Sequence, residues 1–114
     1  HPNYDMFSVV DATAQLAKAG LPARIMIDAS HANSRKIPAR QLDVASDIAT
    51  QVARGSGSIF GLMLESNLVE GRQDVVAGQA LTYGKSITDP CMSWEDTESL
   101  LQELATAARL RRQR

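Results

Sequence analysis

Three side chains in this sequence of 114 residues are of types that hold a cation and activate a substrate on it: His31, Glu65 and Asp89. One imidazole and two carboxylates form a donor set suited to divalent Mn, Fe, Co or Zn. A cation held that way acts as a Lewis acid on a carbonyl oxygen. Each residue also has an ordinary reading. His31 serves equally as a loop histidine or helix-capping donor, Glu65 as a strand-end carboxylate paired with an arginine, and Asp89, followed by Pro90, as a turn residue. Spacing alone leaves both readings open, so the question passes to the elements that would position the three.

A first helix is expected over about 5–19, where Met6, Val9, Val10, Thr13, Leu16 and Ala17 recur at helical spacing. Asp5 can cap it, with Ser8 and Asp11 offering a competing capping box, and Gly20 and Pro22 end it. Arg24-Ile25-Met26-Ile27-Asp28 is too short and apolar for a helix and reads as a buried strand, about 24–28. A polar segment from Ser30 to Lys36 follows, and then Pro38, which a first helical turn tolerates. Leu42, Ala45, Ile48, Ala49 and Val52 form the stripe of a helix over about 40–54, closed by Gly55. A second all-apolar strand is expected over about 59–64. Between Glu65 and Met92 no period persists, which predicts a long functional loop with at most a short hairpin or helical turn. The last helix, about 93–112, starts at a Ser93/Asp96 capping box and carries Trp94, Thr97, Leu100, Leu101, Leu104, Ala107 and Ala108 on one face. Acids gather near its start and Arg109, Arg111, Arg112 and Arg114 near its end, complementing the helix dipole.

This order is an α/β pattern in which two strands joined by a helix run parallel with a right-handed crossover. His31 falls three residues after Asp28, and Glu65 directly follows Leu64, so parallel strands deliver both to one carboxyl edge. Asp89 lies in the loop that leaves the same edge, where α/β folds build their sites. Neither strand alternates apolar with polar residues, so both are expected to be buried on both faces. Two strands and three helices cannot supply that cover. We therefore expect part of a larger parallel sheet, with missing strands upstream or contacts between copies in their place. The start at His1, without an initiator Met or signal-peptide pattern, suits a piece of a longer chain.

A net charge of −1 speaks against broad electrostatic binding to nucleic acid or anionic membrane. No apolar run approaches the ~20 residues that cross a bilayer. The single cysteine, Cys91, makes no internal disulfide, and a reducing, cytoplasmic setting is expected. Cys91 is read as a buried inert thiol, and Arg35 and Lys36 as solvated loop charges rather than substrate-phosphate ligands. Gly84-Lys85-Ser86 lacks the preceding glycine spacing and the leading strand of a phosphate loop.

The blocks Ile25-Met26-Ile27-Asp28-Ala29-Ser30-His31-Ala32-Asn33-Ser34, Gly61-Leu62-Met63-Leu64-Glu65-Ser66-Asn67-Leu68-Val69-Glu70-Gly71 and Leu81-Thr82-Tyr83-Gly84-Lys85-Ser86-Ile87-Thr88-Asp89 resemble, in order and separation, the class I (type Iα) 3-deoxy-D-arabino-heptulosonate-7-phosphate (DAHP) synthases. The likeness continues through Cys91 and Trp94-Glu95-Asp96-Thr97 to the arginine-rich end. It implies a (β/α)8, or TIM, barrel of which this chain would be the C-terminal part, the last two βα units. It also implies a metal-assisted condensation of phosphoenolpyruvate with erythrose 4-phosphate to DAHP and phosphate, the first step of the shikimate pathway. In the family one cysteine, one histidine, one glutamate and one aspartate hold the metal. His31, Glu65 and Asp89 match the last three, His31 and Asp89 are carried over as catalytic, and the cysteine has no counterpart here. The resemblance further implies a homo-oligomer that needs the remainder of the barrel, so that this chain alone would be inactive. A non-catalytic interaction or regulatory module derived from the synthase is the competing expectation.

Overall fold

The computed structural model describes residues 1–114. The elements in chain order are α1 (Met6–Lys18), β1 (Ile25–Asp28), α2 (His31–Ser34), α3 (Pro38–Ala53), β2 (Ile59–Met63) and α4 (Trp94–Arg112). Local chemistry sets the helix ends. The Asp5 carboxylate accepts the Ser8 N–H at 3.2 Å, satisfying one of the amides that open α1. Gly20 takes the left-handed φ of 76° that reverses the chain after it. Pro38 opens α3, where its missing N–H has no cost. Ser93 Oγ accepts the Asp96 N–H at 3.2 Å at the head of α4. At the far end Arg111 donates to the carbonyls of Ser56 and Ile59 at 2.8 and 2.7 Å, and Arg114 to that of Ala53 at 2.8 Å. Two of the four terminal arginines thus tie α4 to the end of α3 and the entry of β2.

β1 and β2 pair in parallel, with α3 as the crossover. Ile25 stands opposite Ile59, but Met26 opposite Gly61, Ile27 opposite Leu62 and Asp28 opposite Met63. Phe60 is therefore an extra residue in β2, a bulge that reverses the side-chain alternation beyond it. Because of it Ile59, Leu62 and Leu64 all turn toward the helices, with Ile25 and Ile27 beside them. On the opposite face Gly61 leaves room for Met26, whose Cε would stand 3.1 Å from any Cβ placed there.

The core is a layer between this sheet and the helices. Ile48, Ala49 and Val52 of α3 pack with Ile27, Ala29, Ile59, Val9 and Ala107, and a smaller cluster joins Ala45, Met92 and Leu100. The other face of the sheet is bare: Met26, Phe60 and Met63 are 57%, 53% and 43% exposed. The expectation that both strands are buried on both faces is thus incorrect for this chain, because helices cover only one side of a two-stranded sheet. Phe60 lies instead under the Arg24 guanidinium, 5.2 Å from its ring centroid. α1 likewise buries only Val9 of its apolar face. The radius of gyration, 16.3 Å, exceeds the about 13 Å of a compact domain this long, as befits a slab rather than a closed core. No helix is long and apolar enough to cross a membrane.

Two further features lie in the segments at the carboxyl edge. The polar segment after β1 contains a single helical turn, α2. The long loop after β2 is knit to itself by isolated bridges between Ser66 and Met92, Gly71 and Cys91, and Arg72 and Ser86. Gly84 within it has φ 81°, and a Cβ there would stand 2.7 Å from that of Leu68, so no side chain fits.

Ile48 is fully buried at the centre of the layer. Ile48→Ala should therefore lower unfolding free energy by about 2–5 kcal/mol. Urea unfolding followed by circular dichroism measures it, and a loss below about 1 kcal/mol would show that α3 is not packed on the sheet as described.

Candidate metal centre

The first donor is placed by the acid that ends β1. Asp28 accepts the Ser30 N–H and hydroxyl on one carboxylate oxygen and His31 Nδ1, at 2.7 Å, on the other. Asn33 Nδ2 donates to the Asp28 carbonyl at 2.8 Å, so the turn into α2 is closed from both sides. These bonds hold His31 at φ 50°, a conformation that costs a non-glycine residue about 1–3 kcal/mol and is common at functional sites. An ionised carboxylate only accepts, so Nδ1 carries the proton toward Asp28 and Nε2 is the nitrogen turned to the site.

Nε2 stands 3.5 Å from Asp89 Oδ2 and 3.8 Å from Glu65 Oε1. One donor atom from each of His31, Glu65 and Asp89 lies within 4.8 Å of the others. The structure thus brings together all three residues singled out in the sequence. Glu65 follows β2, and its backbone is gripped by Gln41 of α3: Gln41 Oε1 accepts the Glu65 N–H at 2.8 Å, and Nε2 donates to the Glu65 carbonyl at 3.2 Å. Met92 N–H donates to the same carbonyl at 3.0 Å. Asp89 is returned to the edge by the loop, where Arg72 Nε donates to the Thr88 carbonyl at 2.9 Å and Gly71 exchanges two backbone bonds with Cys91.

Neither the Glu65 nor the Asp89 carboxylate accepts a hydrogen bond from the chain; the imidazole facing them stands at ion-pair distance. Their lone pairs converge with that of Nε2 on a cavity of about 10 Å³, lined also by Ser34, Lys36, Pro38, Gln41 and Pro90. That volume is the size of one water molecule or bare cation. Donor atoms around an ion at about 2.1 Å stand about 3.0–3.4 Å apart, so the imidazole nitrogen needs only a few tenths of an ångström of closure toward each carboxylate. The three-atom set, spread within 4.8 Å, needs up to roughly 1 Å or somewhat more to make three corners of a coordination shell. A larger cleft, about 490 Å³, lies between α1 and α3, but no comparable donor set converges there. The three donors meet at the small cavity and not at the larger one.

The charges around the imidazole favour its protonated form. His31 is pushed above its ordinary 6.5 by the hydrogen bond and charge of Asp28, then by the charges of Glu65 and Asp89. Burial pushes Asp28 upward, but the hydrogen bonds from Ser30 and His31 outweigh it and hold the carboxyl below 3.8. Burial also raises the Cys91 thiol, with help from Glu65 and Asp89 against a hydrogen bond with Ser86, so Cys91 stays protonated at neutral pH. Sequence reasoning named the three donors but not Asp28 or Gln41 as their supports. Both left signals: an acid three residues before the histidine, and an amide one turn before Ala45 on an otherwise apolar stripe.

The raised His31 value means that its contribution to stability is full below 6.5 and fades as pH rises through the folded value; the depressed Asp28 value means that its contribution is full above 3.8 and fades as pH falls through the folded value. The pair is therefore fully stabilising between those two limits. Proton NMR titration of the cation-free chain should place the His31 midpoint above 6.5, and Asp28→Asn should bring it down. An unmoved midpoint would remove Asp28 as the cause.

Comparison with known proteins places this geometry in a family. Residues 1–102 match the model of the DAHP synthetase I family. The Phe-sensitive phospho-2-dehydro-3-deoxyheptonate aldolase of Escherichia coli is 52% identical over 111 residues, which are 97% of this chain and 32% of that protein. The phospho-2-dehydro-3-deoxyheptonate aldolase of Haemophilus influenzae is also 52% identical, over 97% of this chain and 31% of its own length. The solved structure of the Francisella tularensis phospho-2-dehydro-3-deoxyheptonate aldolase superposes with a TM-score of 0.91 at 44% identity, covering 96% of this chain and 32% of that one. With a three-donor cluster at the carboxyl edge of its parallel strands, and spanning about a third of the length of these relatives, the chain belongs to the DAHP synthetase I family.

Proposed function

We propose that His31, Glu65 and Asp89 are three of the four protein ligands of a divalent cation in a DAHP synthase, which condenses phosphoenolpyruvate with erythrose 4-phosphate to DAHP and phosphate. The observation that carries this reading is the convergence of a free imidazole nitrogen and two carboxylates without hydrogen-bond donors on one ion-sized cavity. When bound, the cation would supply Lewis acidity at the aldehyde oxygen of erythrose 4-phosphate.

The chain's own residues do the rest of the work assigned to this segment. Asp28 fixes the His31 tautomer, so that Nε2 presents a lone pair rather than a proton once the imidazole is neutral. The imidazole plane, locked at Nδ1, then gives phosphoenolpyruvate a fixed edge against which to orient. Glu65 is the less exposed of the two carboxylates and Asp89 the one more open to solvent. Three carboxylates (Asp28, Glu65, Asp89) around one imidazole leave a surplus of negative charge that a divalent cation neutralises. The fourth ligand and the groups that grip both substrate phosphates fall to the remainder of the barrel, so this chain alone is inactive.

The test is a chimera in which this chain replaces the matching third of the Escherichia coli Phe-sensitive relative, assayed for phosphate release with Mn²⁺. The chimera should turn over both substrates. His31→Ala, Glu65→Ala and Asp89→Ala should each lower activity at least about a hundredfold, since losing even an outer-shell partner costs 10- to 100-fold in metal affinity or activity. Retained activity in all three would take these residues out of the chemistry. The isolated chain, lacking one donor and rigid support, should bind Mn²⁺ only weakly by calorimetry; tight stoichiometric binding would contradict the shared-site reading.

A further inference from the structure

Gln41 is 1% exposed, on a helix whose other buried residues are mostly apolar, and its carboxamide is used at both ends on one residue. Oε1 takes the Glu65 N–H and Nε2 reaches the Glu65 carbonyl. This is the pattern with which a neighbouring strand would grip a peptide unit, supplied here by a side chain just beyond the last paired residue of β2, Met63. Bonds to the N–H and C=O of the same residue restrain both of its backbone dihedrals. They therefore set the direction in which Cβ and the carboxylate leave the chain. Gln41 also forms part of the wall of the cavity into which that carboxylate points.

We infer that Gln41 is a positioning residue for the Glu65 carboxylate, an inference that rests on Glu65 being a cation ligand. Its amide transmits the placement of α3, itself fixed by the core around Ile48, to one corner of the coordination shell. A merely structural role predicts something different: loss of the amide would cost stability without altering the cation. Gln51 provides the comparison within the same helix. It is also buried, and it donates to the Tyr4 carbonyl at 2.8 Å and to Asp47, away from the donor cluster.

The experiment uses the chimera, loaded with Mn²⁺ for calorimetry and with Co²⁺ for its visible absorption bands, which report ligand geometry. Gln41→Met keeps the volume and removes both hydrogen bonds. It should weaken Mn²⁺ binding about 10- to 100-fold and shift the Co²⁺ bands, while Gln51→Met leaves both unchanged. Mn²⁺ affinity within about twofold of the parent, with an unshifted Co²⁺ spectrum, would overturn the inference. If Gln41→Met does not fold, Gln41→Glu keeps the acceptor for the Glu65 N–H but, when ionised, cannot donate to its carbonyl. An added negative charge beside the cation would by itself tighten binding, so weaker binding reports a displaced Glu65 and equal or tighter binding overturns the proposal. His31→Ala and Glu65→Ala in the same chimera separate the two levels. Should neither alter Mn²⁺ affinity, the cation site itself is misassigned; should both abolish it while the Gln41 variants do not, only the role of Gln41 fails.

Discussion

Parallel pairing of Ile25–Asp28 with Ile59–Met63 is the constraint on which the rest depends. Four or five residues of strand span about 13–17 Å. Had the two strands run antiparallel, the turn bearing His31 and the residue after Met63 would lie at opposite edges, separated by about that distance, and no side chain would bridge the gap. Parallel pairing requires a crossover, and α3 supplies it while filling the core beneath the strands. One helix thus serves two ends: its apolar stripe holds the sheet, and Gln41, near its start, reaches the carboxyl edge. The bulge at Phe60 is part of the same solution. Without it Leu62 and Leu64 would face away from α3 and α4, and Gly61 and Met63 would face the helices in their place.

The side chains at that edge are arranged by hydrogen bonds within the chain itself. Asp28 takes the Nδ1 proton and leaves Nε2 to the cavity, while Glu65 and Asp89 keep their lone pairs free of donors. An ionised carboxylate with no donor is poorly matched to a protein environment unless water or a cation meets it. Two such groups face one imidazole, and their charges add to the hydrogen bond and charge of Asp28, which do most to raise the His31 value. A proton on Nε2 would occupy the one imidazole lone pair that the proposed divalent cation needs.

Much of the fold and of the donor set was legible in the sequence because the determining chemistry is local or periodic. Asp5, Gly20, Pro38 and Ser93 act on their immediate neighbours, and the Ala45-Ile48-Ala49-Val52 stripe repeats with the helix. The donors could be paired with strand ends by counting from Asp28 and Leu64, and three ordered blocks tied them to a family. What escaped was set by register and by missing neighbours. A run such as Ile59-Phe60-Gly61-Leu62-Met63 looks buried on both faces because every residue is apolar or small, yet only the partner strand's register shows that Phe60 is extra. The bare face of Met26, Phe60 and Met63 follows from how many strands are present, which no residue in either strand encodes. Gln41 was hidden for a related reason: its partner is a peptide unit of the chain beyond β2, and peptide units are alike in every sequence.

The three donors are not held equally, and the differences run in a useful order. Glu65 is fixed through its own backbone by Gln41 and Met92, both anchored in buried clusters or a buried helix face. His31 is fixed through its ring by Asp28, at the end of a strand but with nearly half of the side chain open to solvent. Asp89 has no such support at its carboxylate; only the flanking backbone of the loop is tied, through Thr88 to Arg72 and through Cys91 to Gly71. Glu65 is thus the most firmly held of the three, His31 is oriented through its ring, and Asp89 is the least restrained. The least restrained side chain is the one carried by the long loop, whose glycine at position 84 lets it fold back over Leu68 and return to the strand ends. The more and the less restrained side chains thus come from different levels of the structure for a physical reason: regular elements hold direction, and loops supply reach.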